Sequence, residues 1–215
     1  MKALIIGATG ATGSALIEQL LRNENFHRIE IFARKKINLN HEKLICNLVD
    51  FNELETWKNK LKGDVLFSAL GTTRKDAGSK SSQYKVDFTY QLNVAKIAAE
   101  NMVKQLVLVS STGANSKSLF FYPKIKGKLE DEVKKMDFDN VHIFQPPILI
   151  RQKDKIRPNE VQGIKLINKI NKIGLLRSQK PMPIDLLAEK MINASLRSTS
   201  KKIHTYSPKM IFHEL

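Results

Sequence analysis

Positions 1–22, MKALIIGATGATGSALIEQLLR, restrict the fold more than any other stretch of the chain. Residues 3–6 form a short apolar run of the kind buried as a strand. Gly7, Gly10 and Gly13 follow at even spacing, and Ala15, Leu16, Gln19, Leu20 and Arg22 then take up a helical period. Strand, glycine-rich turn and helix in that order open a dinucleotide-binding unit. Gly7 is expected to turn the chain sharply out of the strand, Gly10 to leave room for a pyrophosphate, and Gly13 to let the helix pack closely. Amides around Gly10, Ala11 and Thr12 would face the anion at the positive end of the helix dipole, with hydroxyls from Thr9 and Thr12. The plainer alternative is a structural turn. Its place between strand and helix, and the alternation downstream, favour nucleotide binding.

That alternation gives the fold class: α/β, a Rossmann-like doubly wound, mostly parallel sheet with helices on both faces. Residues 28–33 (RIEIFA) read as the second strand, ending in Arg34, Lys35 and Lys36. An NAD-selective fold carries an acidic residue at this point, whereas a basic one accommodates the extra phosphate of NADP. Arg34 can hold that phosphate bidentately with Lys35 as a second charge, which favours NADPH; a solvated basic turn is the competing reading. Residues 43–49 form a third strand closed by Asp50, which either meets the adenine edge or forms a capping box with Glu53 ahead of a helix. Residues 64–70 are the fourth strand, and its C-terminal end places Leu70 and Gly71 along the cofactor. Residues 74–82, rich in Gly, Ser and Lys, read as a flap, and 84–101 as a long amphipathic helix. Residues 105–109 are the fifth strand, ending in Ser110, Ser111 and Thr112.

Beyond it, Pro123 fits the first turn of a helix on which Tyr122 and Lys126 lie one turn apart. A phenol titrates near ~10, and an ammonium one turn away eases its proton transfer. No other tyrosine has a lysine four positions on. Tyr122, Lys126 and a serine after the fifth strand, assigned as Ser111, therefore make a catalytic set; a chance pairing on a surface helix is the alternative.

The 215 residues carry a formal charge of +15, spread from Lys2 to Lys209 with no arginine-rich block. Nucleic-acid binding is therefore disfavoured against attraction of an anionic cofactor. One cysteine, Cys46, excludes an internal disulfide and fits a reducing cytoplasm. The run before Gly7 is too short for a signal core, and no stretch approaches a membrane span. The five histidines lack metal-ligand spacing.

Taken in order, GATGATG from Gly7, ARKK from Ala33, LVDF from Leu48, ALGTTR from Ala69, LVSSTGAN from Leu108, YPKIKGKLE from Tyr122 and IRPNE from Ile156 resemble the short-chain dehydrogenase/reductase superfamily. The resemblance is to its atypical branch, which includes the Tat-interacting-protein oxidoreductase. It implies NADPH held by residues 9–12, Arg34, Lys35, Leu70, Gly71, Tyr122, Lys126, Leu149 and Arg157. Relatives carry Arg-Pro-Gly where this chain has Gln145-Pro146-Pro147, and Val-Asn where it has Val86-Asp87. The implied organisation is a single domain over residues 1–215, in which 145–215 contribute a small substrate-side portion with helices at 164–173 and 186–196 and a strand at 202–206. Two functions compete: an NADPH-dependent reductase of a small carbonyl-like substrate, and a cofactor-binding sensor read by a protein partner. No helix offers a clear dimer stripe, and the oligomeric state stays open.

Overall fold

In a computed structural model, residues 1–150 and 180–214 are described. Six strands come first: β1 (Lys2–Ile6), β2 (Arg28–Ala33), β3 (Leu44–Leu48), β4 (Val65–Ser68), β5 (Gln105–Val109) and β6 (Asn140–Phe144). A short pair, β7 (Leu149–Ile150) and β8 (Met182–Pro183), and then β9 (Ile203–Tyr206) follow. Seven of them form one sheet in the order β3-β2-β1-β4-β5-β6-β9, with every pairing parallel. The order reverses between β1 and β4, and the crevice beyond their C-terminal ends is where such sheets bind ligands.

A parallel sheet must be covered on both faces, so its strands carry apolar residues on each. Ala3 and Ile5 point into one core, with Leu16 and Leu20 of α1 (Ala11–Arg22) and Leu187 and Met191 of α6 (Ile184–Leu196). Leu4 and Ile6 point into the other, with Val94 and Ala98 of α4 (Gln91–Glu100) and Leu129 and Val133 of α5 (Phe121–Val133). The strands and the first and last long helices thus stand close to their expected places.

Residues 74–82, read as a flap, run through two short helices, α2 (Arg74–Ala77) and α3 (Lys80–Tyr84), and two other local expectations fail. Thr73 and Ser79 cap them, each side-chain oxygen accepting from the amide three residues on, at 3.1 and 3.0 Å. The long helix is interrupted by a π-helical stretch, Lys85–Tyr90, between α3 and α4. Asp50 caps no helix. Its Oδ1 accepts from Asn52 N and Nδ2, both at 2.8 Å, and the helix expected after it is reduced to two 3-10 turns. The reason is Trp57, buried against Phe32 and Phe51 with its indole N–H donating to the Asp50 carbonyl at 2.9 Å; sinking the indole overrides a regular helix. Cys46 is half-buried on the edge strand β3. The expected helix at 164–173 and Arg157 lie outside the described residues. A short α7 (Pro208–His213) ends the described chain.

Candidate active site at the sheet's switch point

The loop from β1 into α1 is made almost wholly of backbone. Gly7 has φ +85°, and a Cβ there would overlap the Ala69 carbonyl of the loop after β4. A Cβ on Gly13 would strike the Gly7 carbonyl. Both positions therefore demand glycine, one for conformation and both for close approach. Gly10 differs from expectation: its amide donates to Gly7 O at 2.9 Å and is not free for an anion. It is the N-cap of α1, with no side chain capping the helix end, so the first-turn amides from Ala11 onward are the ones left to receive an anion.

This loop forms one end of a cleft of about 710 Å³, within the range of ligand sites. Thr9, Gly10, Ala11, Thr12, Leu70 and Gly71 line it there, and Ser111, Tyr122, Lys126 and Leu149 line it farther along. Gly7 and Gly13 lie behind the wall as its support. Arg34 and Lys35 sit exposed after β2 and do not line the cleft, nor does Asp50, which is also exposed.

At the far end the side chains are interlocked. Lys126 is 2% exposed; its Nζ donates to Val109 O at 3.3 Å and stands 3.6 Å from Asp87 Oδ1. Asp87 is wholly buried on the π-helical stretch, and its Oδ2 accepts from Thr72 N at 3.2 Å. Burial pushes the Asp87 carboxyl above its ordinary value, with the Lys126 charge opposing. The π-helical widening is a common device at functional sites, and here it carries a carboxylate to the lysine. Gln91 supports it, donating to Asp87 O at 2.8 Å while its Oε1 accepts from Ser68 Oγ at 2.8 Å.

The serines after β5 divide. Ser110 Oγ donates to Glu130 Oε1 at 2.5 Å, and Gln145 Nε2 donates to both Glu130 oxygens at 3.0 and 3.1 Å. Ser111 Oγ is buried and has no hydrogen-bond partner among the described residues, although it lines the cleft. Tyr122 is 39% exposed at the cleft's rim. Sequence reasoning missed the Glu130–Gln145–Ser110 cluster. A signal was present: Tyr122, Lys126 and Glu130 recur every four residues on α5, one polar stripe on a helix whose opposite side is solvated.

Residues 7–166 match the family model described as NAD(P)H-binding. The chain belongs to this NAD(P)H-binding family and is an atypical short-chain dehydrogenase/reductase-like protein. The mitochondrial protein fmp52 of Aspergillus niger is 31% identical over 96% of this chain and 92% of its own length. Protein HTATIP2 of Rattus norvegicus is 30% identical over 97% of this chain and 87% of its own. Among solved structures, the Bordetella bronchiseptica enzyme WbmG in complex with NAD superposes with a TM-score of 0.72 at 18% identity, covering 96% of this chain and 72% of that one. MoeE5 in complex with UDP-glucose and NAD gives 0.71 at 12%, covering 96% and 75%. At such identities they speak for the NAD(P)H-binding fold alone. No helix among the described residues is long and apolar enough to cross a membrane.

Proposed function

We propose that this NAD(P)H-binding protein is an NADPH-dependent oxidoreductase that reduces a small carbonyl-like substrate. The observation that carries the reading is the meeting, along one cleft, of the uncapped helix end with Ser111, Tyr122 and Lys126. The residues present fit a dinucleotide. First-turn amides of α1 suit a diphosphate, and the buried Ser111 hydroxyl, unpartnered among the described residues, lies on the cleft. Ala11, Thr12, Leu70, Gly71 and Leu149 would hold the cofactor, with Lys126 on its ribose and Arg34 and Lys35 meeting the 2′-phosphate from outside the cleft lining. A bound reduced nicotinamide supplies a hydride. Ser111 holds the substrate oxygen, and Tyr122 gives that oxygen its proton, so that the two-electron reduction of C=O ends as an alcohol.

The deciding experiment pairs calorimetry of NADPH binding with turnover on a panel of small aldehydes and ketones. Tyr122→Phe is expected to cut turnover by about 100-fold or more while leaving NADPH affinity within about twofold. A parent protein that binds NADPH yet reduces nothing in the panel would move the assignment to the cofactor-binding sensor read by a protein partner.

A further inference from the structure

Among the described residues, Asp87 is the one fully buried carboxylate touching the proposed catalytic set, and the reading above gives it no task. It is held by three elements at once: the π-helical stretch that carries it, Thr72 N on the loop after β4, and Lys126 of α5. One oxygen, Oδ1, has no hydrogen bond among the described residues and stands only 3.6 Å from the ammonium. The pair thus interacts chiefly through charge, in a place where water does not screen it. Lys126 in turn is four residues from Tyr122 on the same helix, the spacing at which side chains become neighbours.

We propose that Asp87 is a positioning and charge-tuning residue that offsets the Lys126 ammonium and so raises the pH at which the Tyr122 phenol gives up its proton. The inference rests on the oxidoreductase reading for its meaning but not for its test. An uncompensated ammonium beside a phenol favours the phenolate, which serves as a base for alcohol oxidation. A carboxylate behind the ammonium removes part of that field. The phenol then keeps its proton over a wider range of pH and can deliver it to a carbonyl oxygen. An asparagine in place of Asp87 would keep the shape and the acceptor for Thr72 N but leave the ammonium unopposed.

Among the described residues, Glu130 lies one turn beyond Lys126 on α5 but is engaged by Ser110, Gln145 and Lys134. Asp76 lines the cleft from α2 and Lys80 lies over the Phe121 ring at 5.8 Å, both on the exposed side. Charges there act through water and are weakened by salt.

The test needs no turnover. Protein labelled with 13Cζ-tyrosine is titrated by NMR without cofactor, and the Tyr122 resonance is assigned among the four tyrosines by its loss in Tyr122→Phe. In Asp87→Asn the Tyr122 phenol is expected to ionise about one pH unit lower than in the parent, a tenfold change in its equilibrium, as befits one charge removed at short range. Tyr206, on β9, should not move, which guards against a general loss of structure. A Tyr122 midpoint identical in parent and variant, with Tyr206 unchanged, overturns the proposal. Should Asp87→Asn fail to fold, Asp87→Ser, which also removes the charge, must lower the Tyr122 midpoint in the same sense, and an unchanged midpoint overturns the proposal. If the parent reduces no carbonyl, the oxidoreductase reading falls while this titration still reports whether Asp87 governs the phenol.

Discussion

The two ends of the cleft are built from different materials. At the β1 end the walls are main chain, a glycine-rich turn and an uncapped helix end, and the basic side chains after β2 stand clear in water outside them. At the β4–β5–β6 end the walls are side chains that hold one another, Lys126 to Asp87, Ser110 and Gln145 to Glu130, Gln91 to Ser68. The first end can be disabled by adding a single carbon. The second tolerates bulk better than it tolerates a lost partner, because each deletion leaves another buried polar group unsatisfied.

The contrast breaks most visibly within the glycine turn. Gly7→Val puts a β-branched residue at φ +85° and drives a Cβ into the Ala69 carbonyl. It is expected to cost at least about 3 kcal/mol and to yield an unstable or insoluble chain. Gly10→Ala meets only Gly7 O, at 3.2 Å. It should fold nearly as well as the parent yet bind NADPH at least about tenfold more weakly, because its methyl group occupies the approach to the diphosphate. Thermal melts and calorimetry separate the two outcomes, and equal melting temperatures for both variants would mean that the turn carries no structural load.

This difference also explains what was legible in the sequence. A glycine in a turn announces a backbone requirement by its own identity, so the strand–turn–helix unit and the strand ends around Leu70 and Ser111 could be read directly. Asp87 could not be placed, since its meeting with Lys126 depends on a π-helical widening that no local periodicity encodes. The helix expected after Asp50 failed for a related reason: burial of Trp57 between Phe32 and Phe51 is decided by the tertiary core and not by capping spacing. Gln145 is tied to Glu130, 15 residues and about 50 Å of extended chain away in sequence and adjacent only in the fold.

The acid-sensitive region is expected where β6 meets β9. His142 of β6 is buried beside Tyr206 and stacked on His204 of β9 at 5.1 Å. Burial first, and the His204 charge second, bring it down from 6.5 to about 4. The unfolded chain therefore binds the proton more readily than the folded one. Nothing is lost above about pH 6.5; as pH falls from there toward 4, the cost grows to about 3 kcal/mol. Urea melts at pH 7.5 and 4.5 measure this loss. His142→Leu, although weaker at neutral pH, should lack that part of the acid slope, and an unchanged slope would place the sensitivity elsewhere.

Glu130→Ala tests the interlocking itself. It leaves the Ser110 hydroxyl and the Gln145 amide without their acceptor and should destabilise the fold by about 2 kcal/mol, read from the midpoint of a denaturant melt. Glu130→Gln keeps an oxygen acceptor and should cost less than half as much. Equal costs would make charge, and not the hydrogen bonds, the tie between α5 and the loop after β6.

The smallest effect should come from the exposed basic side chains after β2, and it should be selective. Arg34 stands in water with no packing to lose, so Arg34→Glu is expected to leave the melting temperature within about 2 °C of the parent. Its role under the present reading is with the 2′-phosphate alone. NADPH affinity should fall about tenfold, partly through a lost bidentate contact and partly through repulsion, whereas NADH, which lacks that phosphate, should weaken by no more than about twofold. Raising the salt from low to 0.5 M should shrink the NADPH penalty, since screened surface charges act over less than about 10 Å. Equal weakening of both cofactors would assign Arg34 to general attraction by a chain of net charge +15, and the preference for NADPH would have to come from another part of the molecule.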